Sequence, residues 1–264
     1  MCLDGILTNQ RKNGVKMSVR EVKRKANQYM RVNIFPCRTA PGKRGARREL
    51  TSEVQAKLNE RNAENTLSDL IHNNFTPNDY IFDLDYDNRY LPKTAEDAQR
   101  LAVNAMRTIK YAWVKSGRKA EGFKYVITTA VSSRGRIHHH CFITGGLPEA
   151  LMRSKWKWGH AHTDPMEFDE NGVRGKIHYI LKDTATKRRW CASKNLRRCE
   201  PRTNDYKISA KTLRYINDHP EDTAFIERLY PGWSVAPDGV RSVAVSDKDG
   251  EIITPVIPFV EIFL

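Results

Sequence analysis

Three consecutive histidines, His138, His139 and His140, lie in the otherwise apolar run IHHHCFIT. Side chains of an extended strand alternate between the two faces of a sheet, so His138 and His140 would share one face and His139 the other. Two neutral imidazoles on one face can bind a metal ion, with carboxylates completing the site for Mg²⁺ or Mn²⁺. A solvated edge strand explains the same run without a ligand, and the residues alone leave both interpretations open.

A second pair with the same spacing occurs in the segment GHAH, which contains His160 and His162. Only residues two positions apart on a strand can share a metal ion, so this pair is a second candidate. The two pairs are alternatives, and we expect one of them to be unrelated to function.

Tyr179 and Lys182 lie further along the chain, in the segment KIHYILKD. On a helix these residues share one face, so a phenol and an ammonium group can approach the same phosphate. Tyrosine is an adequate covalent nucleophile when a metal ion polarises the phosphate and a cation neutralises the developing charge. A half-buried tyrosine beside a lysine whose stem lies along the surface is the common alternative for so short a pattern.

The elements that carry these residues are predicted from periodicity and end signals. We predict one helix over TSEVQAKLNERNAENTLSDLIHNNF, with Thr51 or Ser52 as its N-cap, and another from an N-cap at Thr94 to a stop at Gly117. We predict strands over DYIFDLDYDN, FKYVITTAV, RIHHHCFIT and GHAHTDPMEF, the second and third forming a hairpin across SSRG. A short helix after Pro148 and a helix over VRGKIHYILKDTATKRR complete the set.

This order of elements favours an α+β fold with a central antiparallel sheet of about five strands, covered by helices on one side. We predict three consecutive segments: a basic N-terminal extension over residues 1–50, a folded domain over 51–215, and an acidic C-terminal extension over 216–264. The last segment closes with the apolar run IITPVIPFVEIFL, which we expect to dock as an edge segment.

Charge is unevenly distributed along the 264 residues, whose net charge is +14. Residues 1–50 carry 13 lysines and arginines against 3 aspartates and glutamates, and residues 174–215 again carry 13 against 3. Two basic blocks around a neutral middle favour a polyanion that is bound through its phosphates, and nucleic acid is the leading candidate. A solvated tail is the alternative for the N-terminal block.

The sequence gives no sign of membrane association or secretion. No apolar run approaches the ~18 residues that a membrane-spanning helix needs, and no secretory signal is visible at the N-terminus. The 5 cysteines include no C-x-x-C pair, which argues against a disulfide framework and a cysteine zinc site. We therefore expect a cytoplasmic protein with reduced thiols.

The motifs resemble the HUH endonucleases that initiate rolling-circle replication, especially replication-associated proteins of the filamentous-phage gene II type. The resemblance depends on HHH with apolar flanks, on HYILKD, and on the segments NNFTPNDYIFDLDYDNRYLP, WKWGH and SKNLRRCEPR. It covers roughly residues 45–215 and implies an HUH-endonuclease-like fold. His138 and His140 match the family's metal-binding histidines, with Mg²⁺ or Mn²⁺ as the cofactor, while Tyr179 matches its nucleophile and Lys182 the helper of that nucleophile.

One feature departs from the family's pattern. Many relatives carry an acidic metal ligand near the end of the strand before the histidines, where this sequence has Thr129 and Ala130. Asp83 and Asp85, on the first predicted strand, are candidates to replace it, and plain solvated acids are the alternative. The GHAH histidines match no catalytic position.

The resemblance implies metal-dependent, site-specific nicking and joining of single-stranded DNA at a replication origin, through a 5'-phosphotyrosine, in a bacterial host cell. A host helicase or polymerase is a further expected partner. We expect the basic segments to hold the strand, with Trp156, Trp158 and Trp190 as candidate base-stacking surfaces. The alternatives are a single-tyrosine transposase or relaxase with the same chemistry, and a non-catalytic nucleic-acid-binding protein that has lost nicking activity.

Overall fold

The computed structural model describes residues 17–38, 52–186, 188–247 and 250–261. The chain forms two compact units, one made of Met1–Ala56 with Cys199–Leu264 and the other of Lys57–Arg198. Each unit contains an antiparallel sheet and helices, so the predicted α+β class is confirmed. Within the described ranges, no helix is both long enough and apolar enough to cross a bilayer.

The strands are β1 (Met17–Ala26), β2 (Tyr29–Arg38), β3 (Tyr80–Asp85), β4 (Tyr125–Val131), β5 (Ile137–Ile143), β6 (Ala161–Pro165), β7 (Cys191–Ala192), β8 (Arg202–Asn204), β9 (Trp233–Val235), β10 (Arg241–Asp247) and β11 (Gly250–Glu261). The α-helices are α1 (Ser52–His72), α2 (Ala95–Lys115), α3 (Glu149–Arg153), α4 (Arg174–Lys182), α5 (Ala210–Asp218) and α6 (Thr223–Arg228).

The helices and strands predicted between Ser52 and Arg189 are present, together with most of their end signals, but the helix predicted over VRGKIHYILKDTATKRR is shorter than predicted and ends at Lys182. Thr94 caps α2 by accepting a hydrogen bond from the backbone N–H of Asp97 at 3.1 Å. Gly117 adopts a φ of +83° just after α2, a conformation that glycine reaches without strain. Helix α1 begins at Ser52, and the alternative N-cap, Thr51, lies outside the described residues.

The sheet of the Lys57–Arg198 unit has the strand order β6-β3-β5-β4-β7, with antiparallel pairing throughout. The predicted five-stranded antiparallel sheet is therefore confirmed. Strand β5 lies at its centre and carries the three histidines, with β3 on one side and β4 on the other. In this register Asp83 of β3 lies opposite His140, and Asp85 lies opposite His138.

Helices cover both faces of this sheet, so the prediction of helices on one side is wrong. Helix α2 packs on the face that carries Phe82 and Cys141, whereas α1 and α4 pack on the face that carries Ile81 and Phe142. The reason lies in β4 and β5, which present apolar side chains to both faces. Each face then needs a cover that removes those side chains from water.

The other unit contains a sheet with the strand order β10-β11-β2-β1-β8, and β9 pairs with β11. Helices α5 and α6 pack on this sheet around Ile34, Leu213 and Ile226. The C-terminal tail is not an edge segment as predicted, because β11 lies between β10 and β2 and pairs Ile257 with Val32. Strands from the two predicted extensions thus share one sheet, a pairing between distant segments that no local pattern shows.

His72 links the end of α1 to the start of α4. Its side chain is 5% exposed, its Nδ1 lies 2.8 Å from the Ser68 carbonyl oxygen, and its Nε2 lies 3.3 Å from the Val173 backbone nitrogen. Nδ1–H therefore donates to the carbonyl, and Nε2 accepts from the N–H group just before α4. Burial lowers the pKa of His72 from 6.5 to about 4, which keeps the ring neutral.

We expect His72 to make stability depend on pH below 6.5. The pKa of His72 is lower in the folded protein than in the unfolded chain, so the unfolded chain binds more protons between about pH 6.5 and pH 4. The free energy of unfolding therefore decreases as the pH is lowered through this window. Between pH 7 and about pH 4.5 this group alone should remove roughly 2 kcal/mol of the free energy of unfolding. Urea unfolding at the two pH values measures the loss.

The matched variant is His72→Gln, whose side chain is neutral at both pH values. We expect it to be less stable than the native protein at pH 7 and to lose roughly 2 kcal/mol less on acidification. All other ionisable groups are the same in the two proteins, so their contributions cancel from the comparison. Equal acid losses in the two proteins would show that His72 does not carry the effect.

Candidate active site

His138 and His140 point from one face of β5, and His139 points from the other, as the strand periodicity predicts. The two outer rings contact each other edge to face, with 4.9 Å between their centroids. Asp83 reaches the same place from β3, because it is the cross-strand neighbour of His140. Two imidazoles and a carboxylate are thereby brought together by strand pairing.

Hydrogen bonds orient both outer rings. His140 Nδ1 lies 2.8 Å from Asp83 Oδ1, and His138 Nδ1 makes a longer contact of 3.4 Å with the Arg136 carbonyl oxygen. Because each Nδ1 faces an oxygen acceptor, we assign its N–H to that contact, which leaves the lone pair of each ring on Nε2. A carboxylate behind an imidazole in this way is the usual support of a histidine that binds metal through its other nitrogen.

No third protein ligand accompanies this pair among the residues that the structure describes. Across the described part of the chain, no group of three or more His, Cys, Asp or Glu side chains is arranged to hold a metal ion. Asp83 is hydrogen-bonded to His140, and Asp85 is exposed at the end of β3. Thr129 and Ala130, at the positions where the sequence resemblance led us to look for an acidic ligand, are both buried. The donor set is therefore two imidazole nitrogens, with Asp83 as a support for one of them.

Tyr179 lies next to the histidine pair. Helix α4 packs on the same sheet face through Ile177 and Ile180, which leaves the neighbouring Tyr179 at the edge of the contact. The ring centroid of Tyr179 lies 6.0 Å from that of His140, with 63° between the ring planes. The tyrosine side chain is 63% exposed, so its hydroxyl is accessible to a large substrate.

Lys182 is the last residue of α4, one turn after Tyr179, and its side chain is exposed. The spacing of three residues places both side chains on one side of the helix, as predicted.

Helix α4 is fixed by contacts from α1 that sequence reasoning missed. His178 Nδ1 lies 2.6 Å from Glu64 Oε1, and the backbone nitrogen of Val173 donates to His72. These contacts hold both the start of α4 and the residue before Tyr179. No local pattern signals them, because they join segments that are distant in the sequence.

His139 is a structural residue. It is fully buried, its Nε2 lies 2.8 Å from Tyr86 Oη, and its Nδ1 lies 3.0 Å from Thr129 Oγ1. The Tyr86 hydroxyl donates to the Ala98 carbonyl at 3.2 Å, so Tyr86 Oη accepts from Nε2–H and Nδ1 accepts from Thr129. Burial lowers the pKa of His139 to about 3. The middle histidine is neutral and joins β5 to β4 and to the core on the α2 side.

The GHAH histidines lie at one edge of the sheet, which is formed by β6: His162 is on β6 and His160 comes just before it. His162 is the cross-strand neighbour of Asp83, so β3 separates it from His140 by about 10 Å at the usual strand spacing. His162 Nε2 lies 2.9 Å from Asp164 Oδ1, and both His160 and His162 are exposed. The pair therefore has a different environment from that of the β5 histidines.

The three tryptophans considered for base stacking pack against the cores of the Lys57–Arg198 unit. Trp156 is buried, and its Nε1–H donates to the Asp85 carbonyl at 2.8 Å. Trp158 packs against the core under α2, and Trp190 against the core under α1 and α4. Trp156 is therefore unavailable to a base, while the other two are half-buried.

Comparisons with known proteins found no match. No protein-family model, no curated protein and no solved structure matches this chain. The choice between a nicking enzyme and a nucleic-acid-binding protein therefore depends on the chemistry available to His138, His140 and Tyr179.

Proposed function

We propose that this protein is a metal-dependent enzyme of the HUH endonuclease type that nicks and rejoins single-stranded DNA and initiates rolling-circle replication. The observation that carries the proposal is the proximity of Tyr179 to His140, with 6.0 Å between their ring centroids. Two motifs that are distant in the sequence thus meet at one place. An accessible phenol next to two imidazoles oriented for metal binding is the arrangement that covalent attack on a phosphate needs.

His138 and His140 would hold the metal ion through their Nε2 atoms, and Asp83 would keep the His140 ring in position. Mg²⁺ or Mn²⁺ bound there supplies a positive charge that polarises a phosphate oxygen of the DNA. Since Mg²⁺ strongly prefers oxygen ligands, the two ring nitrogens favour Mn²⁺.

Tyr179 performs the covalent step. Its oxygen forms a bond to phosphorus, and the bond between phosphorus and the 3' oxygen of the preceding nucleotide breaks. The phenolic proton passes to solvent and the 3' oxygen takes up a proton, so the products are a 5'-phosphotyrosine and a free 3'-hydroxyl. Lys182 compensates the negative charge that develops on the phosphate oxygens.

These products suit the start and the end of a replication cycle in the cytoplasm of a bacterial host. The 3'-hydroxyl primes synthesis by a host polymerase, and a host helicase would open the duplex ahead of it. The phosphotyrosine retains the energy of the broken bond, so attack by a 3'-hydroxyl reverses the step and joins DNA without ATP. A transposase or relaxase with one catalytic tyrosine would use the same step.

A non-catalytic nucleic-acid-binding protein is the second candidate. The observation that favours it is that only His138 and His140 offer nitrogen donors to a metal ion at this place. Among the residues the structure describes, no group of three potential metal ligands exists. A protein of this kind would bind single-stranded DNA and form no covalent product.

A search for the covalent adduct tests the proposal. The protein is incubated with a pool of single-stranded oligonucleotides and Mn²⁺, and protein–DNA adducts are detected by mass. Protease digestion then identifies the peptide that carries the nucleotide, which we expect to contain Tyr179. A nucleotide on a peptide with Tyr206 or Tyr215 contradicts the assignment of the nucleophile, and the absence of any adduct supports the non-catalytic candidate.

We expect binding to single-stranded DNA to depend strongly on salt, because the chain carries a net charge of +14. With about five phosphate contacts and a slope of about -0.7 per contact, the affinity should fall roughly a hundredfold between about 50 and 200 mM salt. Fluorescence anisotropy with a labelled oligonucleotide at several salt concentrations measures the slope. A flat titration contradicts binding through phosphate contacts.

A further inference from the structure

An exposed aromatic residue lies on the loop that follows β3. Tyr90 is 41% exposed and is the last residue of a short 3-10 turn, Asn88–Tyr90. The guanidinium carbon of Arg89 lies 4.7 Å from the centroid of the Tyr90 ring, and the neighbouring Leu91 is also exposed. An aromatic ring, an apolar side chain and a cation are thus together at the surface.

This loop is attached to the strand that carries the histidine pair. Arg136, two residues before His138, donates from Nη1 to Asn88 Oδ1 and from Nη2 to the Tyr86 carbonyl oxygen. Five residues of chain limit the distance between the Cα atoms of Asp85 and Tyr90 to roughly 17 Å, and Asp85 lies opposite His138. Tyr90 therefore lies no further from the histidine pair than a few nucleotides of an extended single strand can span.

Backbone hydrogen bonds and close packing hold the loop that carries Tyr90 in one conformation. The Asp87 backbone N–H donates to the Trp158 carbonyl at 2.9 Å, and the Tyr90 N–H donates to the Asp87 carbonyl at 2.9 Å. The Trp158–Gly159 backbone packs closely against it, since a Cβ on Gly159 would lie 2.2 Å from the Asp85 carbonyl oxygen. An aromatic side chain on a rigid loop loses little conformational entropy when a ligand stacks on it.

The surroundings of the ring favour a nucleic acid over an apolar partner. The side chain of Arg89 is 74% exposed and its contact with Asp87 is loose, at 3.8 Å. Lys93 and Arg134, on this loop segment and on the β4–β5 turn, are exposed as well. Positive charge beside an aromatic surface is the combination with which proteins hold the phosphates and bases of single strands.

We infer that Tyr90 and Arg89 form a stacking platform for one unpaired nucleobase of single-stranded DNA next to the histidine pair, an inference that takes its ligand from the proposed function. Arg89 covers one face of the tyrosine ring, and the base stacks on the exposed part of the platform. Every base presents a flat aromatic face, so the platform accepts any sequence and adds affinity without reading the base. Bases of a duplex are stacked on their neighbours and are excluded.

Tyr111 is a matched control for the test. It is 65% exposed, and Lys115 Nζ lies 5.4 Å from the centroid of its ring, so it too is a surface tyrosine beside a cation. It lies on α2, which covers the sheet face opposite to the one that carries the histidine pair. Substitution of either tyrosine removes a similar exposed side chain.

The experiment measures the affinity for a fluorescein-labelled oligothymidylate by anisotropy, in full-length protein with Tyr179→Phe so that no cleavage occurs. Tyr90→Ala should weaken binding by between about fivefold and a hundredfold, because stacking of one base contributes that much. Tyr90→Phe keeps the ring and should bind within about twofold of the parent protein. Tyr111→Ala should bind as the parent does.

A wholly abasic oligonucleotide separates stacking from charge, because it keeps the phosphates and lacks the bases. The parent protein and Tyr90→Ala should bind it with equal affinity. The platform is refuted if Tyr90→Ala binds oligothymidylate as tightly as Tyr111→Ala does, if it weakens binding to the abasic strand equally, or if Tyr90→Phe is as weak as the alanine variant.

The test of the stacking platform at Tyr90 and the test of nicking at Tyr179 can fail independently of each other. A covalent adduct on Tyr179 of the native protein, together with unchanged binding by Tyr90→Ala, supports the enzyme and overturns the platform. Weakened binding by Tyr90→Ala, with no adduct on the native protein, supports the platform in a non-catalytic protein. A parent protein that does not bind oligothymidylate overturns the platform.

Discussion

Tyr179→Phe is expected to reduce cleavage of single-stranded DNA by at least about a thousandfold and to eliminate the protein–DNA adduct. The substitution removes one oxygen atom, the atom that would bond to phosphorus. The ring that contacts His140 stays, and the side chain is largely exposed, so the fold should be unchanged. Metal binding and affinity for DNA should stay close to native values. Cleavage is measured by gel assay, metal binding by calorimetry with Mn²⁺, and DNA affinity by fluorescence anisotropy.

Two control variants make this result specific. Tyr111→Phe removes the same atom from an exposed tyrosine on the other side of the sheet and should cleave normally. Lys182→Ala removes a charge that assists the step without taking part in a bond, so cleavage should slow more modestly. Native cleavage by Tyr179→Phe would exclude this tyrosine as the nucleophile.

Replacing His138 and His140 together with alanine is expected to abolish both Mn²⁺ binding and metal-dependent nicking. These rings are the nitrogen donors that hydrogen bonds orient with Nε2 free. Calorimetric titration with Mn²⁺ measures the first effect and a cleavage assay the second. The double variant His160→Ala with His162→Ala is the matched control, because it removes two histidines of equal spacing from β6 and its flank.

The assignment of the metal pair is wrong if Mn²⁺ binding survives in the first double variant and disappears in the second. Asp83→Asn adds a graded test of the support for His140. An amide can still face the ring, but the loss of the carboxylate charge should weaken metal affinity by about 10- to 100-fold. An unchanged affinity in this variant would show that the contact of 2.8 Å between Asp83 and His140 does not tune the site.

The central part of the fold could be predicted because its signals are local. The alternation in IHHHCFIT, the Thr94 cap and the Gly117 stop each fix an element from a few neighbouring residues. The helices on both faces could not be predicted in this way, because face assignment depends on which strands become neighbours. The terminal segments were harder still, since the hairpin of β1 and β2 joins the hairpin of β10 and β11 only through the pairing of β2 with β11, which lie more than 200 residues apart in the sequence.

In the candidate site, too, some features follow from local sequence patterns and others only from tertiary packing. Periodicity places His138 and His140 on one strand face and separates them from His139, and helix geometry places Lys182 beside Tyr179. The supports of the site, Asp83 on β3 and Glu64 on α1, come from segments whose positions only tertiary packing determines. The sequence offers Asp83 as a candidate acidic ligand together with Asp85, but no spacing or motif separates the two, and Glu64 lies in a predicted helix without any motif that marks it.

The pairing of β2 with β11 constrains the order in which the chain can fold during its synthesis. Residues 29–38 leave the ribosome long before residues 250–261, while the whole Lys57–Arg198 segment is made in between. That segment can therefore fold first, and β2 must wait with one edge unpaired for its partner. Such long sequence separation slows folding, and an unpaired strand edge favours aggregation. A nascent chain that stops before Gly250 would keep this edge permanently open.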